Sequence, residues 1–125
     1  SNICTNQGLL VTAATMYMAL LGPEGLRRVA TASAGNARAL QRRLCEIPGV
    51  RPVFADGPFF HEFALDLGRP ARPVVDALAE RQIVAGVSLG DDYPELGDPL
   101  LVCATETKTA DDIEHFALAL RHALS

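Results

Sequence analysis

The sequence predicts an α+β domain: a mainly antiparallel sheet of three to four strands, helices packed on one face of it, and a helical segment in front. Three observations predict this class. Residues 9–46 carry apolar side chains at intervals of three and four, the period of a helix. Residues 59–67 alternate with period two, the pattern of a half-buried strand. The remaining apolar runs are short and joined by connections of turn length, which suits antiparallel neighbours.

Leu9 to Leu21 reads as a helix with Leu9, Ala13, Met16 and Leu20 on one side and Leu10, Ala14, Tyr17 and Leu21 on another. A helix apolar on two sides is covered on two sides. It is either a central core helix or one covered by a further domain or a partner subunit. Gly22-Pro23 breaks it, because Gly accepts positive φ after a helix end and Pro pre-sets a new helix start. A second helix, Glu24 to Glu46, carries the stripe Leu26, Val29, Ala30, Ala37, Leu40, Leu44 and Ile47. Ser33 fills the one gap in that stripe, and the small residues from Ala32 to Gly35 permit close approach of another element. Pro48-Gly49 ends the helix.

Arg51 to Ala55 is an extended piece, with Pro52 marking an edge. Asp56-Gly57-Pro58 is a turn. In the strand Phe59 to Leu67, Phe59, His61, Phe63, Leu65 and Leu67 share one face, and Phe60, Glu62, Ala64 and Asp66 the other. Pro73 to Gln82 is a helix with Val74, Val75, Leu78 and Ala79 inward. Ile83 to Leu89 is a short strand containing Gly86, and residues 90–99 form a loop. Leu100 to Thr105 is an almost unbroken apolar run that suits an interior strand. Thr109, with Asp112 three residues on, signals a capping box at the start of a last helix whose stripe is Ile113, Phe116, Ala117, Leu120 and Leu124.

With 125 residues the chain fits one domain, 1–125, made of a leading segment (1–22) and an α+β body (23–125). The net charge of -4 gives no support to nucleic acid or an anionic membrane surface as a partner. Cys4, Cys45 and Cys103 are widely spaced, with no Cys-x-x-Cys and no histidine in register, so no metal site is expected. Three scattered cysteines suit a reducing, cytoplasmic setting. No unbroken run of about 18 apolar residues predicts a membrane span, and no signal peptide is visible. The absence of an initiator Met leads to the expectation that the chain is a piece of a longer protein. Without its neighbour, the helix of residues 9–21 would expose apolar surface or hide it by self-association.

Catalytic constellations are sparse. No nucleophile elbow, phosphate loop or paired-carboxylate motif is present, and no catalytic residue is assigned. His61 reads as a hydrogen-bonded core residue, and His115 and His122 as solvated. Lys108 is the only lysine among eleven Lys and Arg residues, and its place in a turn argues against a covalent link to pyridoxal phosphate. The opening septet, Ser1-Asn2-Ile3-Cys4-Thr5-Asn6-Gln7, is the exception. Asn2, Thr5, Asn6 and Gln7 place neutral donors in front of a helix N-terminus, where phosphate or carboxylate can bind. Plain N-capping by Thr5 or Asn6 is the alternative.

The septet, Leu21-Gly22-Pro23-Glu24-Gly25-Leu26, Tyr93-Pro94-Glu95-Leu96-Gly97, the run Leu100 to Glu106 and Lys108-Thr109 together resemble the P-protein of the glycine cleavage system, most of all the α-type half of its two-subunit form. The resemblance covers essentially the whole chain in order. It implies the small C-terminal domain of a fold type I, aspartate-aminotransferase-like enzyme. That enzyme, a glycine dehydrogenase, decarboxylates glycine with pyridoxal phosphate and passes the aminomethyl group to the lipoyl arm of the H-protein. It also implies that the cofactor is bound covalently by the partner β-type subunit, that Thr5, Asn6 and Gln7, with Asn2 behind them, assist its phosphate or the substrate channel, and that this piece is inactive alone. The chain departs from aminotransferases in offering no substrate-carboxylate arginine: Arg51, Arg69, Arg72 and Arg81 lie away from the late strands. The rival readings are a small-molecule-binding α+β module and a purely structural interaction domain.

Overall fold

A computed structural model of the chain describes residues 7–125. Its elements are helix α1 (Gly8–Leu44), strand β1 (Arg51–Pro52), strand β2 (Glu62–Asp66), helix α2 (Ala71–Ala79), strand β3 (Val87–Ser88), a 3-10 turn (Pro94–Leu96), strand β4 (Leu100–Cys103) and helix α3 (Ala110–Leu124). The four strands form one antiparallel sheet in the order β1-β2-β4-β3. This is the α+β layer that the sequence predicts, and β4 is interior as its apolar run requires.

The register sorts the faces. Phe63 pairs with Val102, and Leu65 and Ser88 both pair with Leu100. These side chains point into the core, where Leu65, Leu100 and Val102 are fully buried. Ala37, Leu40 and Leu44 of α1, Val74 and Leu78 of α2, and Ala117 and Leu120 of α3 close over that face. Glu62 pairs with Cys103, and Ala64 and Val87 both pair with Leu101, on the opposite face.

Helix α1 departs from the predicted pair of helices in degree. Helical turns run on either side of Gly22, which alone leaves helical geometry (φ 62, ψ -177), with Pro23 next to it. The break therefore falls where Gly-Pro demands it, without a loop. The two halves have opposite environments. Every residue from Gln7 to Leu20 is exposed, with Leu9 at 84% and Leu20 at 87%. Burial begins only at Ser33, so the part of the stripe formed by Leu26, Val29 and Ala30 stays outside the core. Gly35 meets nothing within 4 Å of a built Cβ, so the close approach expected at residues 32–35 is made by Ser33 instead. By length and composition alone α1 could pass for a membrane span, which a count of unbroken apolar runs does not reveal. Its axis breaks at Gly22, after fourteen residues. That stretch rises about 21 Å, short of the roughly 30 Å hydrocarbon layer.

Strands β1 and β3 are shorter than their apolar runs suggest. Both are edge strands, bonded on one side only. Pro52 has no N–H to give, although pairing resumes at Val53, whose N–H donates to the Ala64 carbonyl at 2.9 Å. Strand β2 begins at Glu62 rather than Phe59, and α2 begins at Ala71 rather than Pro73.

Candidate functional site

Of the residues singled out before the first helix, Asn2, Thr5 and Asn6 lie outside the described residues. Gln7 is the N-cap of α1 (φ -106, ψ 57), and its side chain makes no capping hydrogen bond. Its carbonyl receives the Val11 N–H at 2.9 Å, and its side chain is exposed. Gln7 thus stands at the positive end of a helix dipole, and among the described residues its side-chain amide makes no capping hydrogen bond.

Lys108 lies in the turn between β4 and α3, and that turn is held by α1. The Asn36 side-chain amide donates to the carbonyls of Thr105 (2.9 Å) and Lys108 (2.8 Å). The Ser33 hydroxyl donates to the Glu106 carboxylate and accepts the Glu106 N–H at 3.1 Å. The polar gap in the α1 stripe is therefore a clamp on the turn. Beyond Lys108, the Thr109 hydroxyl accepts the Asp112 N–H, while the Asp112 carboxylate accepts the Thr109 N–H at 2.8 Å, completing the capping box. The Thr109 backbone and hydroxyl hydrogen bonds hold the Asp112 carboxyl below its ordinary range. The α3 N-terminus thus already carries its own anions, Asp111 and Asp112, which repel a phosphate. Among the described residues the lysine turn does not fit a covalently held phosphate cofactor.

Three arginines of the body are committed in the same way. Arg51 pairs with Asp66 at 2.7 Å and Arg72 with Asp91 at 3.1 Å. Arg43 bridges Glu114 of α3 (2.7 Å) and Glu46 (3.1 Å), and the bond to Glu114 chiefly holds its guanidinium protonated above the usual range. Asp98 is the hub of the 88–98 loop. Its carboxylate accepts the Ser88 hydroxyl, the Gly90 N–H (3.1 Å) and the Arg72 N–H (3.1 Å), and its carbonyl accepts the Ala71 N–H (3.0 Å). Burial pushes the Asp98 carboxyl up, but the bonds from Ser88, Arg72 and Gly90 together hold it below the ordinary carboxylate range.

Two concavities flank the sheet. A groove of about 530 Å3 is bounded by Phe54, Phe59, Ala64, Leu101, Tyr93 and Leu96. A smaller one of about 330 Å3 includes Cys103, Lys108, Asp112 and His115. Between β2 and β4 the ladder also gathers His61, Glu62 and Cys103, whose potential ligand atoms lie within 4.8 Å of one another. That grouping is invisible in linear spacing, because it depends on the Glu62–Cys103 register. His61 differs from its expected role as a satisfied core residue: it is only half-buried, and its buried Nδ1 has no hydrogen-bond partner among the described residues. Burial, then the nearby Glu62 charge, push the Cys103 thiol up, against a smaller pull from Lys108.

Comparison with known proteins gives one answer. Residues 1–120 match the family described as Glycine cleavage system P-protein. The chain is 59% identical, over all its 125 residues, to a protein of Thioalkalivibrio sulfidiphilus named "Probable glycine dehydrogenase (decarboxylating) subunit 1". It is 60% identical over 124 residues to the protein of the same name from Methylococcus capsulatus. In each case it spans 27% of the relative's length. Its fold superposes with a TM-score of 0.87 on a crystal structure of glycine decarboxylase (P-protein) of the glycine cleavage system in inhibitor-bound form. That match has 41% identity and covers 98% of this chain and 28% of that one. With almost its whole length matched in sequence and in fold, the chain belongs to the glycine cleavage system P-protein family.

Proposed function

We propose that the chain is the small domain of the α-type subunit of a glycine decarboxylase, and that it completes a pyridoxal-phosphate site whose covalent lysine belongs to the β-type subunit. Within the assembly, glycine is decarboxylated and the aminomethyl group passes to the lipoyl arm of the H-protein. When bound, the cofactor supplies the electron sink for decarboxylation. This chain's own contribution is binding and orientation. Gln7, with Asn2, Thr5 and Asn6 before it, would offer neutral hydrogen-bond donors to an anionic group at the α1 N-terminus. On this reading residues 1–22 are the interface and linking segment, and 23–125 the small domain of a fold type I enzyme working in the cytoplasm, where Cys45 and Cys103 remain free thiols.

The observation that carries the reading is the match over nearly the whole chain to subunit 1 proteins, of which the chain spans about a quarter. The exposed apolar half of α1 supports it. Seven large apolar side chains between Leu9 and Leu20 face outward, and a surface of that kind normally belongs to an interface. The remaining three quarters of the subunit, or its partner, supplies a natural cover. The ion-paired Arg43, Arg51 and Arg72 and the self-capped turn at Lys108 fit a domain that assists a site rather than housing one.

The test uses the full-length subunit assembled with its β-type partner and the H-protein. Changing Thr5 and Asn6 together to Ala should reduce glycine decarboxylation by about tenfold or more and weaken cofactor retention. Unchanged activity and unchanged cofactor affinity would overturn the role given to the septet. Activity of the isolated chain alone would overturn the division of labour.

A further inference from the structure

We propose that His61, Glu62 and Cys103 form a binding site for a borderline divalent cation of the zinc type, at the open end of the β2–β4 ladder. The three side chains supply imidazole nitrogen, carboxylate oxygen and thiolate sulfur, the mixed donor set that such a cation takes. Their ligand atoms already lie within 4.8 Å of one another. Ligands around one tetrahedral ion stand on the order of 3–4 Å apart, so small rotations of the exposed Glu62 and Cys103 side chains close the remainder.

The backbone under the site is fixed. Glu62 and Cys103 face each other across the ladder. The carbonyl of His61 accepts the Ala104 N–H at 3.0 Å. The imidazole is braced edge-on by Phe60, with ring centroids 4.7 Å apart and an interplanar angle of 84°. Two donors on paired strands, and a third whose backbone is tied to β4 by the Ala104–His61 bond, need little ordering before binding, which lowers the entropy cost of assembling the site.

A second, independent observation points to a ligand. The His61 Nδ1 is buried and has no hydrogen-bond partner among the described residues. A buried polar nitrogen left alone is costly, and native structures seldom tolerate one without a role. An imidazole not committed to another protein group is free to serve as a ligand or to orient itself for one. On binding, a metal–sulfur bond forms at Cys103, the thiol proton passes to solvent, and no electrons are exchanged. Three protein ligands leave a fourth position to water.

The experiment titrates the full-length protein with Co2+, then displaces it with Zn2+. The expected result is saturation at one equivalent per chain with a near-ultraviolet thiolate-to-cobalt charge-transfer band that Zn2+ removes. Cys103→Ser should abolish the band and weaken binding by about tenfold or more. His61→Gln should weaken binding comparably, with its fold checked by circular dichroism. The Cys103 side chain is exposed, so the Cys103→Ser variant keeps the test decisive if His61→Gln misfolds. Absence of saturable binding, binding without the thiolate band, or a band that survives Cys103→Ser would overturn the proposal.

Discussion

At the residue scale, the molecule rests on a few polar side chains with several partners each. Asp98 is the clearest. Its carboxylate gathers Ser88, Gly90 and the start of α2 at once. Asp98→Asn should cost about 1–3 kcal/mol at neutral pH, read from the urea midpoint. The pH dependence has a definite sign. A carboxyl whose pKa falls on folding stabilises fully above its unfolded value and loses that contribution as pH drops through the folded one. The gap between wild type and Asp98→Asn should therefore narrow below about pH 4. Ser33 is the second case. Ser33→Ala removes the acceptor for the Glu106 N–H and should cost about 1–3 kcal/mol by the same measurement. The sequence marks Ser33 as a gap in an apolar stripe but not its partner, because Glu106 is 73 residues away and only the fold brings the two together. The same limit hides the Glu62–Cys103 pair. The candidate anion site is legible only as composition, four neutral donors before a helix, since spacing says nothing about what approaches from outside the chain.

At the scale of elements, helix ends and faces follow from short-range chemistry, and strand lengths do not. The capping box at Thr109 and the break at Gly22-Pro23 depend on residues within four positions of each other, so both can be read directly. Thr109→Ala should lower stability by about 1 kcal/mol. The lengths of β1 and β3 depend on what lies beside them. Each edge strand ends before its one neighbour does, and no property of residues 51–55 or 83–89 encodes where. Gly86 shows the constraint most sharply. Its φ is 142, and an added Cβ would sit 2.0 Å from the Leu101 carbonyl oxygen. Gly86→Ala combines a disfavoured backbone with a clash against backbone, so it should destabilise by roughly 3 kcal/mol or more. A melting temperature within a degree or two of wild type would show that β3 can move away from β4 freely.

At the scale of the whole molecule, the chain divides into a packed body and an outer half-helix that packs on none of it. The isolated chain should self-associate through residues 9–20, with a sedimentation coefficient that rises with concentration. Replacing Leu9 and Leu20 with Ser should shift it toward the monomer without altering the melting temperature of the body. A wild-type chain that stays monomeric at high concentration would argue against an adhesive outer surface. The joint between the two halves has a further consequence for how this surface can change over generations. In an unbroken helix each inserted or deleted residue turns everything beyond it by about 100°, so the direction of an outer face is locked to the count of residues behind it. At Gly22 the two torsions (φ 62, ψ -177) restart that count, so the direction of the outer face is set from Gly22 rather than from the sheet-covering half. Lineages can therefore lengthen, shorten or rotate the outer half to meet a different neighbour while Ser33, Ala37, Leu40 and Leu44 keep their seats over the sheet.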